Sequence, residues 1–206
     1  MRVLNVNSTL NLKIGGGNAE RTFQMSRHFP ILGAVTTVLA LDIDIGEQKM
    51  KSEVRAKIVL LPCLWKRFYF PLSGFLVIQK LVNDSDIIHL MGHWSILNAL
   101  VYIAIRRARK PYVVCPAGAL PLFGRSRRLK QLYNFIIGKR IICNASGWIA
   151  VTAGEFPYFG NYGITASRIT VIPNGIHKKD FLPIDTKNYR RSKGLADKPI
   201  ILCGGG

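Results

Sequence analysis

Thr170-Val171-Ile172-Pro173-Asn174-Gly175-Ile176 is the stretch whose reading decides the fold. A β-branched apolar run stops at Pro-Asn-Gly. Proline fixes φ, and Asn and Gly tolerate φ > 0, so a strand closes here into a turn. A polar, basic connector then runs from His177 to Lys198, and a second apolar run, Pro199-Ile200-Ile201-Leu202-Cys203, leads into Gly204-Gly205-Gly206. A strand that ends in glycines opens nucleotide-binding βα units. This predicts one α/β domain over residues 1–176, a linker over 177–198, and the first strand of a second domain over 199–206.

Working upstream, short β-branched runs alternate with longer helical patterns. Strands are expected at Val3–Val6, Val35–Leu41, Ala56–Leu61 (closed by Pro62), Asp86–Leu90, Pro111–Cys115, Trp148–Val151 and Ile169–Ile172. Helices are expected at Asn18–Phe29, Phe75–Val82, Ile96–Arg109 and Arg128–Cys143, with a short one starting at Gly154. In the fourth of these helical patterns Leu129, Leu132, Tyr133, Ile136 and Ile137 fall on one side. Strand–helix alternation predicts the α/β class, a Rossmann-like doubly wound parallel sheet with helices on both faces. Ligands in such sheets bind beyond the carboxyl ends of the strands. That rule selects the loops at residues 8–17, 89–95, 115–125 and 173–177.

The chain has 206 residues, 49% of them hydrophobic, enough for a substantial core. Its charge is unusual: 29 Lys and Arg against 11 Asp and Glu give +18. The excess is uneven, because no acidic residue stands between Asp86 and Glu155. A region of this kind attracts nucleic acid, phosphorylated substrate or an acidic membrane surface, or it is a solvated basic face. Cys63, Cys115, Cys143 and Cys203 lack metal-pair spacing and read as reduced thiols of a cytoplasmic protein. Met1 to Val6 is a strand, not a signal peptide. The longest apolar stretch, Trp94 to Ile105, falls short of the roughly 20 residues of a spanning helix, which leaves peripheral membrane binding open.

The selected loops carry distinct chemistry. Gly15-Gly16-Gly17 stands before a helix, where exposed amides bind phosphate and glycine lets it approach closely. The run fails as a dinucleotide fingerprint, since Glu20 occupies the third glycine's place, and no Gly-Lys-Ser/Thr follows it. His89 and His93 lie at a strand end, His93 beside Trp94, able to donate to a phosphate or act as a base. His89 can equally be a hydrogen-bonded core histidine. A metal site lacks the further ligands it needs. In Cys115-Pro116-Ala117-Gly118 the glycine permits close backbone approach, and the cluster Arg125, Arg127, Arg128 and Lys130 opens a helix against its dipole, which suits a held anion.

These pieces occur in a familiar order. The glycine loop after strand one, Asp-Ile-Ile-His-x-x-Gly-x-Trp-Ser at 86–95, Pro-Ala-Gly-Ala-Leu at 116–120 and Val-Ile-Pro-Asn-Gly-Ile at 171–176 together resemble the N-terminal domain of family 4 retaining glycosyltransferases of the GT-B fold. The likeness spans nearly the whole chain. It implies two Rossmann-like domains facing a cleft, the first holding the acceptor and the second the nucleotide-sugar donor. The implied reaction moves a hexose from a nucleotide sugar to a lipid-linked or polysaccharide acceptor, with retention, for cell-surface polysaccharide or lipopolysaccharide. By this resemblance Gly15, Gly16 and Gly17 approach the donor diphosphate. His89, His93, Trp94, Gly118, Arg125 and Asn174 lie in the acceptor half or cleft. No catalytic residue is singled out. No cofactor is expected, because the nucleotide sugar is a substrate. Ala117 departs from the family pattern, where His or Arg is usual, so only backbone amides such as that of Gly118 are left to donate there. Met91 likewise stands where relatives often have a second histidine.

The implied partners are a nucleotide sugar, an anionic glycan or lipid-linked acceptor and an anionic membrane surface, not nucleic acid. The implied place is the cytoplasm, peripheral at the inner face of the plasma membrane. Residues 1–206 alone are expected to be inactive. Two other readings compete: a basic nucleic-acid-binding α/β domain, and an NAD(P)-dependent oxidoreductase with Asp42 or Asp44 as its ribose acid.

Overall fold

The computed structural model describes residues 1–44, 55–72, 74–122, 126–175 and 186–195. The chain divides into two compact units, Met1–Gly175 and Ile176–Gly206. The first holds an eight-stranded sheet of β1 (Arg2–Val6), β2 (Val35–Asp42), β3 (Lys57–Trp65), β4 (Phe70–Pro71), β5 (Ile87–Met91), β6 (Tyr112–Cys115), β7 (Gly147–Ala150) and β8 (Ile169–Val171), in the order β4-β3-β2-β1-β5-β6-β7-β8. Every pairing is parallel except that of β3 with the edge strand β4. The sheet is thus Rossmann-like and doubly wound, as the alternation predicts. β1 and β5 at its centre are almost wholly buried, as parallel strands covered on both faces must be. Leu4, Val6, Leu39, Leu41, Ile88 and Leu90 lie in the main core.

The helices are α1 (Leu12–Ile31), α2 (Phe75–Asn83), α3 (Ile96–Ala108), α4 (Arg127–Tyr133), α5 (Lys139–Cys143) and α6 (Phe156–Gly160). Local chemistry sets their ends. Ser95 caps α3 by accepting from the Asn98 amide at 3.0 Å, and Arg109 closes it in the left-handed region. Gly33, at φ 82°, turns the chain out of α1 just after Pro30.

Three expectations need correction. β3 does not close at Pro62 but runs on to Trp65. By Pro62 its partner β2 has reached its last residue, Asp42. The Pro62 carbonyl accepts from Leu72 instead, so the missing amide costs no central ladder bond. Secondly, α1 starts at Leu12 rather than Asn18, so the three glycines lie inside it. Thirdly, the helical pattern over 128–143 is interrupted: α4 and α5 are joined through a π-helical segment, Asn134–Gly138. A Cβ on Gly138 would stand 2.4 Å from Asn134 Oδ1 and 2.7 Å from Tyr133 Cδ1, so glycine makes room for both to turn inward. The apolar side of this helix is also split. Tyr133 and Ile137 pack on the core, while Leu129, Leu132 and Ile136 are exposed.

In the second unit the described residues form α7 (Thr186–Ser192), closed by Gly194 at φ 64°. The strand expected over 199–206 lies outside the described residues.

Candidate functional site

The carboxyl edge of the sheet gathers buried polar side chains. Asn7, just past β1, donates from Nδ2 to the Asn18 carbonyl at 3.0 Å and to Thr22 Oγ1 at 2.9 Å. This draws α1 onto the strand end. Asn11 caps α1, its Oδ1 accepting from the Lys13 and Ile14 amides.

Two of the three glycines are required, each for a different reason. A Cβ on Gly15 would come within 2.8 Å of Ala19 Cβ and 3.1 Å of Thr9 Cγ2. Gly16, at φ 49° and ψ −134°, breaks the helix into two pieces. Gly17 is exposed, and its Cβ would lie 3.6 Å from Asn174 Nδ2. The glycines are therefore a kink between a capped first turn and the main helix, not an open loop.

One turn beyond Gly17 stands Arg21, only 3% exposed. Its Nη1 donates to the Ile172 carbonyl at 2.9 Å, the Pro173 carbonyl at 3.1 Å and Asn174 Oδ1 at 3.0 Å. The guanidinium thus clasps the turn that follows β8. Its Nε and Nη2 are buried and meet no partner among the described residues. Sequence reasoning missed Arg21. The available signal was a lone arginine four residues after a glycine run, in phase with the buried Ala19, Thr22 and Ser26.

His89 sits beside Asn5 in the β1–β5 register, its Nδ1 donating to Asn5 Oδ1 at 3.1 Å. Burial lowers its pKa to about 4, with Arg21 adding to the fall. His93 is held by Asn134 Oδ1 at 3.0 Å through Nε2, and Asn134 Nδ2 donates in turn to Tyr162 Oη at 2.8 Å. Burial brings His93 also to about 4, against the hydrogen bond to Asn134 and helped by Lys130. Trp94, Tyr133 and Tyr162 surround it edge-on. Both imidazoles are therefore neutral and buried. His89 is thus a hydrogen-bonded core histidine, one of the two readings its place allowed, and His93 is packed among aromatic rings behind Asn134. The Asn134 contact depends on the π segment, a feature that local propensity does not announce.

Beyond β6, Ala117 and Gly118 both have positive φ, 49° and 77°. The Gly118 amide donates to Glu155 Oε2 at 2.9 Å, and Glu155 Oε1 accepts from Val151 at 2.9 Å. The Gly118 N–H, expected to face a ligand, is engaged by Glu155 here. Glu155 ties the loops after β6 and β7 together. It too was missed, although it is the first acid after Asp86. Trp94 is half-buried and donates from Nε1 to the Ala119 carbonyl. Asn174 is exposed beside Gly17. Arg125 lies outside the described residues. Asp44, offered as a ribose acid, is paired with Lys66 at 2.7 Å.

Two cavities flank the α4–α5 helix. One, about 320 Å³, is lined chiefly by Trp94, Ile96, Leu129, Leu132 and Ile136. The other, about 480 Å³, is lined by Leu120, Phe135, Lys139, Tyr158, Asn161 and Tyr162 among others. Amides and aromatic faces together suit a sugar.

The site thus lies on a doubly wound, mostly parallel α/β unit whose kinked first helix is clasped to the turn after the last strand. The model of Glycosyltransferase Family 4 matches residues 15–179, and the chain belongs to that family. The structure of HepE from Anabaena in complex with UDP and glucose is similar at TM-score 0.70 and 15% identity, over 96% of this chain and 51% of HepE. The apo lipopolysaccharide outer core galactosyltransferase WaaB is similar at TM-score 0.52 and 13% identity, over 85% of this chain and 46% of WaaB. A UDP-N-acetylglucosamine 2-epimerase from Listeria monocytogenes has TM-score 0.56 and 12% identity, over 82% of this chain and 44% of the epimerase. The chain thus spans about half the length of these structures. Compared by sequence with curated proteins, it finds no significant match. Family membership displaces the nucleic-acid-binding and nicotinamide readings.

Proposed function

We propose that this chain is the acceptor-side half of a retaining hexosyltransferase. In this reading residues 1–176 form the acceptor domain, 177–198 the linker, and 199–206 open the donor domain. The enzyme takes a nucleotide sugar and extends an anionic glycan or lipid-linked acceptor, in cell-surface polysaccharide or lipopolysaccharide synthesis. It works in the cytoplasm, at the inner face of the plasma membrane. No helix among the described residues is long and apolar enough to cross a membrane.

The observation that carries the reading is the kink at Gly16, with Gly17 beside the Asn174 side chain that the buried Arg21 holds. First-turn amides beside a guanidinium suit a diphosphate. HepE binds UDP and glucose, which supports a UDP-sugar as the donor type. The acceptor sugar occupies the 480 Å³ cavity between Phe135, Tyr158 and Tyr162. Retention by front-face attack needs no protein base, in keeping with two histidines buried in neutral form. Residues 1–206 alone transfer no sugar.

The test is to supply the intact protein, donor half included, with UDP-hexoses and a lipid extract. The expected product is a hexosylated lipid or glycan whose new anomeric bond keeps the donor's configuration by NMR. A free epimerised sugar nucleotide with no transfer would instead favour the epimerase chemistry that shares this fold. Transfer catalysed by residues 1–206 alone would overturn the assignment of the donor site to a second domain.

A further inference from the structure

The amino edge of the sheet, opposite the glycines and Arg21, carries a second concave site. It lies where two connections enter neighbouring strands: α3 leads through Arg109 and Lys110 into β6, and α5 leads through Asn144 into β7. A cavity of about 340 Å³ opens there, lined by Ile105, Arg106, Arg109, Lys110, Tyr112 and Asn144. Hydrogen bonds order its floor. The buried Tyr112 donates to the Ile141 carbonyl at 2.8 Å and stands edge-on to Tyr102. Asn144 Nδ2 donates to Tyr102 Oη at 2.7 Å.

The three cations of this cavity hold nothing in the fold. Among the described residues the side chains of Arg106, Arg109 and Lys110 have no ion-pair or hydrogen-bond partner. Their neighbours are committed: Arg107 lies over the Phe75 ring at 5.0 Å, and Asp86, just before β5 on this edge, is taken by Arg2 at 2.8 Å. Compensation of the α3 dipole accounts for Arg106 and Arg107 in its last turn. It does not account for Lys110, past the helix, nor for Arg109, whose φ is 53°. That left-handed position favours glycine, because a Cβ there costs free energy. An arginine in it adds a third like charge to one concave site, where the charges repel and a multivalent anion relieves them.

We propose that this cavity binds a multiply charged phosphate group, about the size of pyrophosphate, at a site separate from the cleft. Arg106 and Arg109 offer planar forks to its oxygens, and Lys110 adds a point charge. Asn144 supplies an amide at the floor. The inference does not rest on the transferase reading. A soluble polyphosphate and a lipid phosphate headgroup present the same chemistry, and the test separates them.

Residues 1–206 are titrated with sodium pyrophosphate by calorimetry, with the NMR shifts of the Asn144 side-chain amide recorded in parallel. One saturable site is expected, weakening with salt and moving the Asn144 signals. Arg106→Gln with Lys110→Gln weakens binding by roughly tenfold to a hundredfold. Arg109→Gly removes a charge while giving the turn its favoured residue, so binding weakens and the variant melts no lower. Arg127→Gln with Arg128→Gln removes equal charge elsewhere and leaves the affinity unchanged. Short-chain phosphatidic acid, kept monomeric, is the second arm. Pyrophosphate binding at this site assigns a soluble ligand, and binding of phosphatidic acid alone assigns a headgroup. No saturable binding of either at low salt overturns the proposal. Binding that Arg109→Gly and the Arg106 and Lys110 pair leave unchanged locates the anion elsewhere and overturns it too. So does an equal loss in the Arg127 and Arg128 pair, which reports net charge alone.

Discussion

The carboxyl edge around Arg21 and the outer side of the 127–143 helix use their residues in opposite ways. At the edge, buried polar groups pair across elements, Asn7 to α1, Arg21 to the turn after β8 and Glu155 to two loops, while Arg21 Nε and Nη2, His89 Nε2 and His93 Nδ1 meet no partner among the described residues. On the helix, apolar groups are exposed, and no described residue of the first unit covers them. Both arrangements run against the usual partition of residues. The first is stable because every buried polar group that is left unpaired costs free energy, so pairing fixes the loops. The second adds little to folding, because side chains left in solvent bury little apolar surface.

This contrast can be broken or sharpened by experiment. The largest effect is expected from acid. His89 and His93 titrate near 4 in the folded chain, below the usual 6.5, so the unfolded state binds more protons between these values. Their stabilisation is complete above about pH 6.5 and is lost as pH falls toward 4, on the order of 3 kcal/mol for each. Urea titrations across that range check this, and a flat profile would place the imidazoles in solvent. Next, Arg21→Met strands three acceptors and should lower unfolding free energy by about 3 kcal/mol. A loss below about 1 kcal/mol would mean the clasp is incidental. Glu155→Gln keeps the shape but weakens one of two backbone contacts, for a loss of about 1–2 kcal/mol by the same measurement. The smallest effect belongs to the other region: Phe135→Ser should change stability by less than about 0.5 kcal/mol. A large loss there would mean that the side chain packs in solution and that the contrast is false.

The order of strands and helices was legible because parallel strands buried on both faces need apolar β-branched runs, and turns need Pro, Asn and Gly. The last strand illustrates the limit. Ile169–Val171 forms β8 as its β-branched run predicts, but its closing turn is held by Arg21, 151 residues before Ile172 in the chain. The site was legible only as a set of loops. Gly15–Gly17 were marked, yet their place inside α1 follows from Asn11 capping four residues earlier and from Gly16 alone of the three taking a positive φ. His93 was marked as a cleft group, whereas the π segment that brings Asn134 to it depends on the missing Cβ of Gly138. The helix over 127–143 showed an apolar side, but sequence periodicity cannot say whether such a side meets the core or solvent.

The sequence by itself thus determined the α/β class, the parallel sheet, the basic stretch free of acids and the family, because these rest on local pattern and composition. The tertiary structure alone decided which polar groups are buried, that Arg21 and Glu155 bind distant loops, and that Leu129, Leu132 and Ile136 face outward. Such outcomes depend on contacts between residues far apart in the chain, and burial, which sets their energies, exists only once the chain has folded.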